Sequence, residues 1–357
     1  MDPVSQFTLG AAVGLSVLGR RAGARRSALI GGVLGTLPDL DYLLPTKDAV
    51  DTYLSHRSAT HSLLVEAAAT PLIGEAVRLL VAPLRDARWL VWLAVYLCLA
   101  THALLDAVTV YGTRLFWPLS EEALGLGSLF IIDPLYTLPL LAVTIWALFR
   151  RQMTRRLATG VAASLALSTG YIAWSAVAQQ VAASRGASHL AAQDIDPERL
   201  LATPAPFNTL LWRVIAVDHT RNYNVYVPLL GGDGAIIAHA YDRWPAEMPC
   251  RDREALAGDA TVRELAAFTD GFYQIRSHNG GAVFVDLRMG LAPDYAFRFD
   301  VTTWSDAAER MTTEQMRAQP LRDDIGWLLR GIAGQRVLRP AERAHLLEDA
   351  PASPRAC

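Results

Sequence analysis

The chain has 357 residues, of which 52% are hydrophobic and only 19% charged, and its mean hydropathy is +0.21. Soluble chains run to about 45–50% apolar and about 25% charged, so this composition excludes disorder, a collagen-like repeat or a small disulfide scaffold and points to a membrane protein. The formal net charge is -2, from 33 Lys and Arg against 35 Asp and Glu, which leaves no basic field for nucleic acid.

An α-helix needs about 20 apolar residues to cross about 30 Å of hydrocarbon. Runs of that kind predict spans at 27–44, 62–81, 89–111, 130–149 and 157–181, with a shorter apolar segment at 7–19 as a sixth. The segment at 7–19 makes a poor signal peptide, because Asp2 replaces a positive n-region and the arginines follow the apolar run. Arginine placement orients these spans through the positive-inside rule. Arg20, Arg21, Arg25 and Arg26 fall in one connection, Arg78, Arg85 and Arg88 in another, and Arg150, Arg151, Arg155 and Arg156 in a third. Every second connection is therefore basic and inside, and 45–61, 112–129 and everything after residue 181 fall outside.

From about residue 190 the long apolar runs stop. Short alternating stretches predict strands at 210–217, 223–227, 235–239, 272–276, 282–287 and 296–301, and helices at 254–268, 307–318 and 325–333. The fold class is thus mainly α: a polytopic transmembrane bundle of five to six spans over residues 1–185, then a soluble, extracytoplasmic α+β domain over 190–348 and a disordered tail at 349–357. Cys98, Cys250 and Cys357 form no C-x-x-C pair, and Cys98 reads as a buried thiol in an apolar run.

Ionisable groups in or beside apolar spans carry the functional signal, because an intramembrane charge costs at least a few kcal/mol and faces a partner, a cavity or an ion. Asp39 and Asp41 end the second span, His56, Arg57 and His61 open the third, and His102 and Asp106 lie late in the fourth. The arginine-derived topology brings all three groups to the outer side. His102 and Asp106 share one helix face a turn apart and reach a common ion or each other, so they fit a ligand pair or a hydrogen bond between helices. Asp39 and Asp41 fit either cation ligands or helix caps. Together with His56 and His61 they predict a site of imidazoles and carboxylates without thiolate, suited to zinc, with manganese or iron as alternatives. Arg57 and Arg114 are candidates for an anionic substrate group, or interface arginines. Asp133, Glu121 and Glu122 fit loop charges or caps better than ligands. In the second half, Asp218, His219, His239, His278, Asp286 and Arg288 lack compact ligand spacing, so that domain reads as substrate access, partner binding or support.

Five motifs in order resemble the YbcI/YdjM-type family of bacterial inner-membrane metal-dependent hydrolases: Met1-Asp2-Pro3-Val4-Ser5-Gln6, Gly35-Thr36-Leu37-Pro38-Asp39-Leu40-Asp41, His56-Arg57-Ser58-Ala59-Thr60-His61-Ser62-Leu63, Thr101-His102-Ala103-Leu104-Leu105-Asp106 and Tyr111-Gly112-Thr113-Arg114-Leu115-Phe116-Trp117-Pro118. The resemblance covers about residues 1–150. It implies a multi-pass inner-membrane protein with a metal site at Asp39, Asp41, His56, His61, His102 and Asp106, and Gln6 stands where many relatives have histidine.

With one or two ions at this site the economical chemistry is hydrolysis, with Asp39 or Asp106 as general base. Its place at the membrane boundary suits a phosphoester or lipid-linked substrate, with the bilayer as the chain's other partner. Oligomeric state leaves no mark in the sequence. The competing readings are an ion transporter, whose site would lie near the midplane of repeated halves, and a non-enzymatic membrane scaffold.

Overall fold

Asp2 and Pro3 start the first helix in the way capping chemistry dictates. The Asp2 carboxylate accepts from the Val4 and Ser5 N–H groups at 3.0 Å each, and Pro3 fills a position whose N–H would have no partner. α1 (Pro3–Ala22) ends at Gly23, which holds φ 84 and lets the chain reverse directly into α2 (Ala24–Thr36). The two helices pack antiparallel along a seam of small residues. A Cβ on Gly31 would collide with the Gly10 carbonyl oxygen, and one on Gly14 would lie 2.6 Å from the Ser27 carbonyl oxygen. Small residues at four-residue spacing are how membrane helices bring their backbones close.

The computed structural model describes residues 1–278, 281–303 and 324–350. The helix expected at 307–318 lies outside the described residues, as does residue 351 onward in the tail expected at 349–357. The chain divides into two compact units, Met1–Pro45 with Ser55–Ala176, and Thr46–Leu54 with Val177–Cys357.

In the first unit a 3-10 turn over Pro38–Leu43 follows α2, and α3 (Ala49–Ser55) lies across the boundary. A second 3-10 turn, Ala59–His61, leads into α4 (Leu63–Leu80), capped by Ser62. α5 (Arg88–Ala107), α6 (Pro134–Leu148) and α7 (Arg155–Ala191) complete the series, α7 running past the expected end at 181. Asp133, one of the weaker ligand candidates, caps α6 by accepting from Leu135 and Tyr136 N–H groups and also accepts from the Tyr171 hydroxyl at 2.9 Å. Large apolar side chains remain on the outside: Leu72, Leu80 and Phe149 are 80%, 84% and 83% exposed. Each such side chain would gain about 1.5–3 kcal/mol by leaving water, so this surface suits lipid. Among the described residues two helices, α5 and α7, are long and apolar enough to cross a bilayer, and α6 is apolar but shorter.

The second unit is built on an antiparallel meander of β1 (Arg199–Pro204), β2 (Leu211–Val217), β3 (Arg221–Pro228) and β4 (Ile237–Asp242), paired in that order. Alternation sends Trp212, Val214, Ala216, Tyr223 and Val225 to one face, where they pack with Ala178, Ala182 and Leu190 of α7. Register pairs Arg213 with Tyr226, Ile215 with Asn224, and Asn224 with His239, so the opposite face is buried but largely polar. The single helix expected at 254–268 is two helices, α8 (Cys250–Gly258) and α9 (Ala260–Phe268). Asp259 between them is extended and its carboxylate caps α9 at Thr261 and Val262, which breaks the first helix to start the second.

A second antiparallel sheet joins β5 (Tyr273–His278), β6 (Gly281–Asp286) and, after the short pair β7 (Gly290–Leu291) and β8 (Asp294–Tyr295), β9 (Arg298–Thr303). α10 (Ile325–Ile332) follows. The segment Thr46–Leu54 belongs to this unit through Tyr53, whose hydroxyl donates to Asp286 Oδ2 at 2.5 Å and accepts from Arg288 Nη2 at 3.0 Å.

Candidate metal centre

Helix ends make the site. α1, α4 and α6 begin at one end of the first unit, and α2 and α5 finish there. The basic connections lie at the other end, between α1 and α2, α4 and α5, and α6 and α7. The Asp2 N–H donates to the Ile131 carbonyl at 3.1 Å, and the Ser5 and Thr137 hydroxyls meet at 2.6 Å, which ties the starts of α1 and α6 together.

Four side chains converge in this region: Asp39 from the turn after α2, His61 from the turn before α4, and His102 and Asp106 from α5. His61 Nε2 lies 3.1 Å from His102 Nε2, 3.5 Å from Asp39 Oδ1 and 3.3 Å from Asp106 Oδ2. His102 Nε2 lies 3.5 Å from both Asp39 Oδ1 and Asp106 Oδ2. All four donor atoms fall within 4.8 Å of one another. Ligand bonds of about 2.0–2.2 Å around a tetrahedral ion require donor separations of about 3.3–3.6 Å. Four of the separations meet that range and the imidazole pair falls just below it.

The outer hydrogen bonds fix which ring atoms face inward. His102 Nδ1 lies 2.7 Å from the Gly35 carbonyl oxygen, which only accepts, so Nδ1 carries a hydrogen and in the neutral ring Nε2 presents a lone pair. The Thr60 hydroxyl donates to Asp41 Oδ2 at 3.1 Å, so at 3.0 Å it accepts from His61 Nδ1 and leaves His61 Nε2 bare as well. With both rings neutral, two imidazole nitrogens and two carboxylate oxygens therefore turn lone pairs toward one point. Asp106 Oδ2 has Arg57 as its counter-charge, 3.1 Å away, and a cation at the centre of the four donors would relieve the remaining crowding of lone pairs. The donor set fits a metal ion.

The remaining candidates surround this group. Asp41 stands outside the four donors because its oxygens already accept from His56 Nδ1 at 2.9 Å, the Arg57 N–H at 3.2 Å and Thr60. His56 is likewise held by Asp41. Asp41 therefore buttresses His61 through Thr60, an arrangement that orients a metal-binding imidazole. Arg57 is buried, with Nε 3.1 Å from Asp106 Oδ2, Nη1 donating to Thr109 at 3.1 Å and the guanidinium 5.0 Å from the Tyr111 ring centre. It neutralises Asp106 and is not open to a substrate. Arg114 joins through its backbone, its N–H donating to the Arg57 carbonyl at 3.0 Å, and its buried Nε has no hydrogen-bond partner. Gln6 donates from Nε2 to Asp106 Oδ1 at 3.0 Å and so anchors that carboxylate rather than adding a nitrogen ligand.

Two contributors escape sequence reasoning: Thr60, a polar residue inside a histidine motif, and the Gly35 carbonyl, which no side-chain pattern reveals. Glu66 was also missed, and both its oxygens are buried without a hydrogen-bond partner one helical turn into α4. The other weak candidates form no comparable group. Glu121 and Glu122 are exposed, His219 pairs with Glu198 at 2.8 Å on the surface, Asp218 caps its own turn at Thr220 and Arg221, and Asp286 pairs with Arg288.

No curated protein and no solved structure matches the chain. The family model described as YdjM inner membrane protein matches residues 1–182, just over half of the sequence. The chain, with its site formed wholly within that matched region, belongs to the YdjM inner membrane protein family.

Proposed function

We propose that the protein is a membrane-bound, metal-dependent hydrolase whose first unit crosses the inner membrane five to six times and acts at the outer face on a phosphoester or lipid-linked substrate. The observation that carries this reading is the convergence of two bare imidazole nitrogens and two carboxylate oxygens on one point. Location at the outer face is supported by the separation of this end of the helices from the arginine-rich connections.

His61, His102 and Asp106 would hold a divalent ion, zinc by preference, with Asp39 facing the same point. The bound ion supplies Lewis acidity and lowers the pKa of water to about 7. Gly35 and Thr60 keep both histidines in the tautomer with Nε2 inward, and Arg57 and Gln6 hold Asp106 in place. Asp39 differs from Asp106 in reaching solvent, with 23% of its side chain exposed against 0%. It is therefore the carboxylate suited to accept a proton from water as general base. Arg114, half-buried where Arg57 is buried, is the cation suited to an anionic substrate oxygen.

Zinc-loaded protein in detergent, assayed against phosphoester and lipid-linked substrates, tests the reading. The expected result is a hydrolysis product from wild type and at least a hundredfold loss in Asp39→Asn with zinc retained. No product from any substrate, or wild-type activity in Asp39→Asn, overturns it and favours ion handling without hydrolysis.

A further inference from the structure

A cavity of about 600 Å³ lies in the second unit, between the ends of β3 and β4, the residues after β4, and β5. That volume is within the range of about 300–1,000 Å³ used for small ligands. Its wall is built from charged and polar side chains that are costly to bury without a purpose. Gln274 is 3% exposed and Arg221 6%. The Gln274 amide lies 3.0 Å from the Asn222 amide and, with its oxygen turned to Arg276, accepts from Arg276 Nη2 at 2.8 Å. Arg276 Nη1 donates to the Pro293 carbonyl at 2.9 Å, and its guanidinium stands 5.4 Å from the Tyr295 ring centre.

Arg276 thus meets neutral partners, and among the described residues it makes no ion pair. Burial lowers its pKa, with Arg298 acting in the same direction and Tyr295, Tyr241 and Asp294 opposing. Arg221 approaches Asp242 at 3.6 Å, a loose contact beside the same cavity. Trp244 lines the cavity as well, and Tyr241 stacks on His345 with ring centres 4.5 Å apart. The rim has the opposite sign: Asp242, Glu247 and Asp349 also line it and are exposed.

We propose that this cavity binds a small zwitterion, a phosphate or carboxylate seated on Arg276 with an ammonium directed to the acidic rim. A simple anion would meet the acidic rim on entry, and a simple cation would meet the half-buried Arg276 guanidinium. A ligand carrying both charges complements both. Trp244 forms the apolar side wall against its connecting carbons. The same chemistry occurs in a phosphoethanolamine head group and in a free amino acid. The site is separate from the metal centre, and its test does not depend on hydrolysis.

The experiment is calorimetric titration of the full chain in detergent with O-phosphoethanolamine, sn-glycero-3-phosphoethanolamine and glycine. Saturable binding of at least one is expected, with inorganic phosphate and ethanolamine each at least tenfold weaker. Preference for the glycerophospho form identifies a lipid head group as the source, and preference for glycine identifies a free amino acid. Arg276→Met and Trp244→Ala should each weaken binding about tenfold. Glu247→Gln alters an exposed residue and so keeps the fold, and it should reduce the preference for the zwitterion over inorganic phosphate. Absence of saturable binding by all three compounds, equal binding of inorganic phosphate, or an unchanged preference in Glu247→Gln overturns the proposal.

Discussion

His61 and His102 face each other Nε2 to Nε2 at 3.1 Å while the Nδ1 atom of each is engaged elsewhere, by Thr60 and by the Gly35 carbonyl. Neither ring can donate to the other in that tautomer. A cation shared between them would account for that closeness, and the bonds behind the rings would then be part of the proposed site.

Thr60 is the most exposed to test of those supports. Thr60→Val keeps the shape but removes the hydroxyl that links His61 Nδ1 to Asp41. Zinc affinity, measured by competition with a chelator, should fall about 10–100-fold, the usual cost of losing an outer partner of a metal-binding histidine. Thr60→Ser should restore it.

The glycine seam sets the distance between α1 and α2 and hence the position of Gly35 behind His102. Gly31→Ala places a methyl group against the Gly10 carbonyl, which is backbone and cannot swing away. Overpacking of this kind costs about 1–3 kcal/mol. Thermal unfolding in detergent should show a lowered midpoint together with reduced metal loading, whereas Gly170→Ala, which meets nothing within 4 Å, should leave both unchanged.

Tyr53 links a segment from the first half of the sequence to the buried Asp286–Arg288 pair. Tyr53→Phe removes one hydroxyl and leaves its partners to be satisfied elsewhere, at a cost of about 1–3 kcal/mol. Denaturant unfolding followed by tryptophan fluorescence of the second unit should show that loss.

His239 gives the second unit a pH dependence. The side chain is fully buried, and burial depresses its pKa, against smaller opposing pulls from Glu342 and the Asn224 backbone and with His345 and Arg339 acting in the same direction as burial. A histidine depressed in the folded state takes up its proton on unfolding. Its contribution is therefore fully present above the unfolded pKa of about 6.5 and is lost as pH falls through 6.5 toward the folded value. Unfolding free energy measured between pH 8 and pH 5 should decline below about 6.5, and His239→Leu should flatten that decline.

The helical first half was legible because lipid demands long apolar runs, and each of the six segments at 7–19, 27–44, 62–81, 89–111, 130–149 and 157–181 contains a helix. The pair His102 and Asp106 was legible from its four-residue spacing on a helix. Asp39 and Asp41 could not be separated by spacing, because the choice between them depends on how the turn at Pro38–Leu43 points each carboxylate and on His56 claiming Asp41. For Arg57 the sequence left an anion site and an ion-paired arginine open, and the structure pairs it with Asp106. In the second half, β1 was missed because Arg199-Leu200-Leu201-Ala202-Thr203-Pro204 has no two-residue alternation and becomes a strand by pairing with β2. The break at Asp259 was hidden by helix-forming residues on both sides.

The most direct test of the metal centre is the bound metal per chain in detergent-purified protein from metal-replete cells, measured by elemental analysis for wild type, His102→Ala and Asp106→Ala, each checked for helical content. Stoichiometric divalent metal in wild type, zinc foremost, and its loss from both folded variants is the predicted result. Metal-free wild type, or full retention in both variants, contradicts the account.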